Sequence, residues 1–202
     1  MSLRLLALDT TSEFGSFALS EGECVIEEIA VQSAEGFAHV LFDEILHLLA
    51  RHGFALKDLD GFAAAAGPGS FTGVRVGLTA VKGLAEANGK PVVAVSNLQA
   101  VASFGSRPLR AAFIDARRGE IYGAVYDASL ELVQEEVVMP YDAWLATLPA
   151  GDPELIKGDR TPLAGAIARI AARSFELGLV QDPAAIDANY VRRSDAELLW
   201  KK

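Results

Sequence analysis

The sequence predicts an α/β protein of two lobes, each with a mixed β-sheet flanked by helices, the second lobe being reduced. Three apolar segments separated by polar turns open the chain. Segments with apolar residues at helical spacing then alternate with short, continuously apolar segments. A strand, an aspartate, a tight turn and a second strand occur around Asp9 and again around Asp115, 106 residues later. We therefore expect a first lobe at residues 1–106 and a smaller second lobe at residues 107–202.

The first three predicted strands form an antiparallel meander. Residues 3–8, 15–20 and 24–31 are rich in apolar side chains, and the polar turn clusters at residues 9–12 and 21–23 separate them. Because the connections are short, neighbouring strands are expected to pair in opposite directions.

A first helix is predicted after a cap at Ser33 and before Gly53. Its main apolar face has the helical spacing of six residues: Phe37, Val40, Leu41, Ile45, Leu48 and Leu49. Phe42 and Leu46 add a second apolar face, so the helix needs more than one packing partner. An interface with another chain and complete burial within this chain explain that pattern equally well.

The remaining elements complete the first lobe. A small apolar strand at residues 61–66 leads through the loop 67–73 into a helix at 74–88, and a buried strand follows at 91–95. Ser96 and Gln99 fit a capping box that opens a third helix. The resulting order β-β-β-α-β-α-β-α is that of the ribonuclease H-like fold, which also builds the lobes of actin, Hsp70 and sugar kinases.

The second lobe repeats part of this plan. Strands are predicted at residues 112–115, 121–126 and 132–138, followed by a short helix at 141–148 and a strand at 154–157. A longer helix at 163–177 has the core face Leu163, Ile167, Ile170 and Phe175. Such internal duplication is typical of the actin-like two-lobed architecture.

Composition limits the function classes. Apolar residues make up 51% of the chain and charged residues 22%, which indicates a folded globular protein. The net charge of −9 disfavours autonomous nucleic-acid binding, because an acidic surface repels phosphates. The single cysteine, Cys24, excludes an intrachain disulfide, and no apolar stretch is long enough for a membrane span. The expected location is the cytoplasm.

Two turns are candidate nucleotide or anion contacts. Asp9, Thr10 and Thr11 follow the first strand, where actin-like proteins approach phosphate, although the turn taken alone favours side chains that bond their own backbone. Gly69 and Ser70 lie in the glycine-rich loop before a helix, a position that favours anions. The alternative is a connector whose glycines supply positive φ. The loop fits neither a phosphate-binding P-loop nor a nucleophile elbow.

Three enzyme classes are poorly supported. A two-metal nuclease needs converging carboxylates, but the fourth strand has no acid at its end. An actin-like ATPase needs a Gly-Gly loop in its second lobe, and the sequence contains no Gly-Gly pair. His39, His47 and His52 are eight and five residues apart, which is not the i, i+4 spacing of helical zinc ligands.

Four stretches together resemble the TsaB (YeaZ-type) family. They are residues 6–11, the glycine-rich residues 67–77, residues 114–122 (Ile-Asp-Ala-Arg-Arg-Gly-Glu-Ile-Tyr) and residues 190–193. The resemblance implies a subunit of the bacterial machinery that transfers threonylcarbamoyl to the adenosine beside the tRNA anticodon. It also implies that the chain is a paralogue of the catalytic subunit TsaD and belongs to the actin-like superfamily. The TsaB family was formerly labelled glycoprotease-like.

The same resemblance implies that this subunit is not catalytic. The His-x-x-x-His metal motif of TsaD falls at Asn97 and Val101 when the two families are aligned on residues 91–95. Valine cannot ligate a metal, and asparagine is a poor ligand for iron or zinc. We therefore predict no catalytic and no metal residues, with an autonomous metallopeptidase or ATP hydrolase as the alternative.

The resemblance also implies partners: TsaD as a heterodimer through the two long helices of the first lobe, the ATPase TsaE, and tRNA indirectly. A homodimer is the alternative for the isolated chain. No cofactor is expected for the chain alone, and ATP or ADP only within the complex. The candidate interface residues are Phe37, Val40, Leu41, Glu44, Phe71, Thr72, Arg75 and Leu78. The basic pairs Arg117-Arg118 and Arg192-Arg193 could meet tRNA phosphates or partner carboxylates, or be solvated.

Overall fold

The computed structural model describes residues 2–158 and 162–191, which form two mixed β-sheets flanked by helices. The strands are β1 (Arg4–Asp9), β2 (Phe14–Glu21), β3 (Cys24–Gln32), β4 (Gly61–Ala65), β5 (Val92–Val95), β6 (Leu109–Arg117), β7 (Glu120–Asp127), β8 (Leu132–Pro140) and β9 (Glu154–Lys157). The helices are α1 (Leu41–Arg51), α2 (Phe71–Asn88), α3 (Asn97–Ala102), α4 (Tyr141–Leu145) and α5 (Ala164–Glu176). Among these helices, none has the length and apolar character needed to cross a bilayer.

The first sheet has the strand order β3-β2-β1-β4-β5. The meander β1-β2-β3 is antiparallel, whereas β4 runs parallel to β1 and β5 parallel to β4. Parallel neighbours require crossover connections, which α1 and α2 supply. This order confirms the ribonuclease H-like fold predicted from the sequence.

Helices lie on both faces of the first sheet. Phe62 of β4 belongs to the core cluster that contains the buried residues of α1 and α2. A Cβ at the preceding Gly61 would overlap the ring of Phe175 in α5. Because successive strand residues point to opposite faces, α5 packs on the face opposite α1 and α2.

The chain divides into two units that differ from the predicted lobes. The first unit comprises Met1–Val95 and Pro162–Ala188, and the second comprises Ser96–Thr161 and Asn189–Lys202. The prediction placed α5 in residues 107–202, whereas α5 contacts the strands of the first sheet. It also placed α3 in residues 1–106, whereas α3 contacts β6 and β7. A single boundary in the sequence cannot describe these units, because the chain returns to the first sheet with α5 after completing the second sheet.

Polar contacts from the first sheet hold α5. Ser16 Oγ accepts hydrogen bonds from the backbone N–H groups of Leu163 and Ala164, at 3.1 and 2.9 Å. These N–H groups at a helix start have no partner within the helix, so the serine satisfies them. Arg173 donates to Glu23 at 2.9 Å, which lowers the pKa of that carboxyl group.

Helix α1 begins later than the sequence predicted. Ser33 does not cap it, because its Oγ donates instead to the carbonyl of Gly36 at 2.6 Å and closes a local turn. Val40 stands at the cap without a side-chain hydrogen bond. Helix α2 begins at Phe71, earlier than predicted, with the Ser70 side chain accepting from the N–H of Gly73.

The second unit contains a four-stranded sheet of order β8-β7-β6-β9. Strands β6, β7 and β8 are antiparallel neighbours, and β9 is parallel to β6. Its core centres on Trp144 of α4, which is fully buried with its ring 5.6 Å from that of Phe113. The predicted helix at residues 141–148 is confirmed only as the short α4.

Candidate protein-binding surface

An open apolar groove lies between α1 and α2 of the first unit. Its volume is about 720 Å³. Phe42 and Phe71 line it and remain 52% and 41% exposed, while Leu46, one turn after Phe42, is 53% exposed. The full lining is Ala38, Leu41, Phe42, Phe71, Thr72, Arg75, Val76, Thr79, Ala80, Gly83 and Leu84. We call this set, together with Leu46, the α1–α2 groove.

The sequence makes this groove by giving α1 two apolar faces. Leu41, Ile45, Leu48 and Leu49 are buried against the sheet. Phe42 and Leu46, at i and i+4, share another face that this chain leaves exposed. Burying such a side chain would stabilise the protein by about 1.5–3 kcal/mol, so the exposed face indicates a binding surface.

Small side chains on α2 keep the groove open. Thr79 and Gly83 are exposed on the groove side, and no atom lies within 4 Å of a Cβ built at Gly83. Arg75 lies over the ring of Phe71, with its guanidinium carbon 3.8 Å from the ring centre. This cation–π contact orders both side chains at one end of the groove.

The structure separates the predicted interface residues into two groups. Phe71, Thr72 and Arg75 are exposed, and Val40 and Glu44 are half-buried, so they can contact a partner. The remaining three lie in the hydrophobic core with almost no exposed surface: Phe37, Leu41 and Leu78. Periodicity identified α1 as apolar on two faces but could not tell which face packs on the sheet.

Sequence reasoning missed several groove residues. Phe42 and Leu46 were recognised as a second apolar face but were not chosen as interface residues. Val76, Thr79 and Gly83 on α2 were not chosen either. Their signal is a run of small or β-branched residues on the side of α2 away from the sheet, which becomes informative only once the facing helix is known.

Leu41→Asp should unfold the chain rather than act on an interface. The Leu41 side chain is 1% exposed within the core, so the substitution would bury a carboxylate without a partner. We expect a loss of at least about 4 kcal/mol in the free energy of unfolding. Thermal or urea unfolding of the purified variant measures it, and a variant as stable as the parent would contradict the core position.

The turn after β1 and the glycine-rich loop pack directly against each other. Asp9 Oδ1 accepts from the N–H and the hydroxyl of Thr11, at 2.9 and 2.7 Å. Thr10 Oγ1 donates to the carbonyl of Gly73 at 2.7 Å. The N–H of Ser70 donates to the carbonyl of Thr11 at 2.6 Å. The five predicted anion-contact residues are therefore brought together, with Asp9, Thr10 and Thr11 buried.

Glycine is required in this region by close backbone approach. A Cβ at Gly69 would lie 2.7 Å from the carbonyl oxygen of Thr11, and one at Gly73 would overlap the carbonyl of Thr10. A Cβ at Gly77 would lie 2.6 Å from Thr10 Oγ1. Packing thus explains the glycines without a ligand, and a nucleotide contact by Asp9, Thr10, Thr11, Gly69 or Ser70 stays a prediction.

The remaining predicted residues lie in the second unit. Asn97 and Val101 are both buried on α3, one helical turn apart. In the part of the chain that the structure describes, no three His, Cys, Asp or Glu side chains cluster as metal ligands. Arg117 and Arg118 are exposed on the β6–β7 hairpin. Arg192-Arg193, the end of the 190–193 stretch, lies outside the described residues.

Comparison with known proteins identifies the family. A family model described as TsaD, tRNA N6-adenosine threonylcarbamoyltransferase, matches residues 28–172. The tRNA threonylcarbamoyladenosine biosynthesis protein TsaB of Bacillus subtilis is 31% identical to the chain, over 98% of each sequence. The chain belongs to the TsaB family. The TsaB of Haemophilus influenzae is 42% identical over 60% of this chain and 52% of its own length.

A solved TsaB-type structure agrees with this membership. The structure titled YeaZ from Pseudomonas aeruginosa has a TM-score of 0.78 and 28% identity, and the alignment covers 93% of this chain and 99% of that one. These comparisons confirm the resemblance to the TsaB family that the four sequence stretches indicated.

Proposed function

We propose that this chain is a non-catalytic partner subunit in tRNA threonylcarbamoyladenosine synthesis, which binds and supports a TsaD-type catalytic subunit. The observation that carries the proposal is the exposed α1–α2 groove on a TsaB-family chain. The TsaB relatives are named as tRNA threonylcarbamoyladenosine biosynthesis proteins, which supports placing this chain in the same pathway. The expected place of action is the cytoplasm.

The groove has the composition of a protein-binding site. Phe42, Leu46 and Phe71 are large apolar side chains that a partner would desolvate. Arg75, which lies over the ring of Phe71, supplies a charged group beside them, as in the polar rim of an interface. We propose TsaD as the direct partner, TsaE as a further member of the assembly, and tRNA as a substrate reached through the complex.

The isolated chain is expected to use the same surface for self-association. An apolar face that lacks its partner can pair with a second copy of itself about a two-fold axis. Such a homodimer would occupy the α1–α2 groove and compete with the catalytic subunit. Adding that subunit should therefore convert the homodimer into the heterodimer.

We propose that the chain holds no cofactor of its own and that ATP or ADP binds only within the complex. The burial of Asp9 supports this view, because its carboxylate has little exposed surface and its Oδ1 accepts two hydrogen bonds from Thr11 within the same turn. The alternative function, an autonomous metallopeptidase or ATP hydrolase, is not favoured.

Reconstituted transfer tests the proposed function. The purified chain and its cognate TsaD-type and TsaE-type subunits are combined with threonylcarbamoyl-adenylate and an unmodified tRNA transcript. We expect tRNA modification only when this chain and the catalytic subunit are both present. Equal modification without this chain, or peptide or ATP hydrolysis by this chain alone, would contradict the proposal.

A further inference from the structure

Thr10 occupies a notch in α2 that two glycines leave open. Gly73 and Gly77 are four residues apart, so they lie one turn above the other on the same face of the helix. A Cβ at Gly73 would overlap the backbone carbonyl of Thr10, and a Cβ at Gly77 would lie 2.6 Å from Thr10 Oγ1. Thr10 is only 2% exposed, so the turn after β1 fills this notch.

The Thr10 hydroxyl adds a directional contact to this fit. Its Oγ1 donates to the carbonyl oxygen of Gly73 at 2.7 Å. A carbonyl oxygen has two lone pairs, so it can accept this hydrogen bond in addition to one within the helix. The N–H of Ser70, the cap of α2, donates to the carbonyl of Thr11 at 2.6 Å. Two hydrogen bonds therefore tie the start of α2 to the turn after β1.

The buried side chains of α2 itself are apolar. Val74, Leu78 and Val81 belong to the core cluster that also contains Phe62 of β4. Apolar burial has no directional preference, so it holds the helix against the sheet without fixing its rotation or its position along its axis. A hydrogen bond depends on direction as well as on distance. The contact with Thr10 can therefore fix what apolar packing leaves free.

The turns of α2 that Thr10 holds are also those that line the α1–α2 groove. Thr72, Arg75 and Val76 alternate along the helix with the two glycines of the notch, and all three line the groove. A shift of these turns would change the spacing of α1 and α2 and the place of every groove residue on them. A surface that already has its bound arrangement loses less entropy on binding.

We propose that Thr10 is a positioning residue for partner binding, which holds the first turns of α2 and so keeps the α1–α2 groove in the shape that the catalytic subunit binds. The inference rests on the proposed function, and Thr10 itself does not line the groove. A methyl group in place of the hydroxyl could not stay at 2.7 Å from the Gly73 carbonyl. Carbon needs about 3.3 Å or more from a carbonyl oxygen, so Thr10→Val should displace α2 by about half an ångström.

Calorimetric titration with the cognate TsaD-type subunit, in nucleotide-free buffer, tests the inference. For Thr10→Val we expect the dissociation constant to rise about tenfold and the association rate to fall, because the groove must then rearrange on binding. Thr10→Ser keeps the donor, and its affinity should stay within about twofold of the parent. Thr10→Ala removes the hydroxyl without adding a methyl, and it should weaken binding about fivefold if valine prevents folding.

Ser16→Ala is the matched control for lost stability. Ser16 is fully buried in β2, and its Oγ accepts from the N–H groups of Leu163 and Ala164 on the α5 side of the first sheet. The variant should lower the melting temperature of the free chain by about 2–6 °C, as Thr10→Val should. It should nevertheless bind the catalytic subunit with the affinity of the parent, because α2 lies on the other face.

Parental affinity of Thr10→Val or, if that variant does not fold, of Thr10→Ala would overturn the inference. Equal weakening by Ser16→Ala would also overturn it, since the loss of binding would then follow stability alone. Equal weakening by Thr10→Ser would exclude the hydroxyl as the group that positions α2. Failure of the proposed function looks different, because the parent chain itself would then form no complex with the catalytic subunit.

Discussion

Replacing Phe42 by aspartate should abolish binding to the catalytic subunit while the free chain stays folded. The ring is 52% exposed in the α1–α2 groove, so the substitution removes little intramolecular packing. In the complex it removes an aromatic anchor and buries a carboxylate at its place. We expect the dissociation constant to rise at least about 100-fold, a loss of about 3 kcal/mol or more. Titration calorimetry with the cognate subunit measures the affinity.

His47→Asp is the matched control for Phe42→Asp. His47 is also exposed on α1 but does not line the groove. The substitution therefore places a carboxylate on the same helix, away from the proposed contact with the partner. Its affinity should remain within a few-fold of the parent. If Phe42→Asp binds as tightly as His47→Asp, the α1–α2 groove is not the docking surface. A lowered melting temperature of free Phe42→Asp would reveal an unintended folding defect.

Replacing Gly73 by alanine should destabilise the chain strongly although alanine is the better helix former. The new Cβ would overlap the backbone carbonyl of Thr10, so β1 and α2 would have to move apart. That movement would also break the hydrogen bond from Thr10 Oγ1 to the Gly73 carbonyl. We expect a net loss of about 2 kcal/mol or more in the free energy of unfolding, measured by urea titration.

Gly83→Ala on the same helix should have the opposite effect. No atom lies within 4 Å of its Cβ position, so only helix propensity changes. We expect a gain of about 0.5–1 kcal/mol. Equal effects of the two substitutions would show that the glycine loop is not held by close packing against Thr10.

A further variant, Gly83→Trp, should fill the groove and weaken partner binding without unfolding the chain.

The order of elements in the first lobe and its antiparallel meander were predictable from the sequence because their signals are local. Tight polar turns joined β1, β2 and β3, and buried strands alternated with helical segments. The unit that contains α5 was not predictable in this way. Its placement depends on contacts such as Ser16 with Ala164, between residues far apart in sequence. The start of α1 was missed because Ser33 forms a local turn in place of a cap.

The candidate site was predictable only in outline. The second apolar face formed by Phe42 and Leu46 was visible in the sequence, but Phe37 and Leu78 were chosen although they are core residues. Leu41 lines the groove but has almost no exposed surface. Both faces of α1 are apolar, so periodicity alone cannot distinguish the sheet-facing side from the exposed one. The glycine-rich loop was recognised as unusual, yet its packing against Thr10 and Thr11 required coordinates.

The central claim is that this TsaB-family chain acts by binding a catalytic partner. Size exclusion with light scattering of the chain mixed with its cognate TsaD-type subunit tests that claim most directly. We predict a stoichiometric heteromeric species at micromolar concentration, formed at the expense of any homodimer of the chain. Two separate peaks with the masses of the individual proteins would contradict the claim.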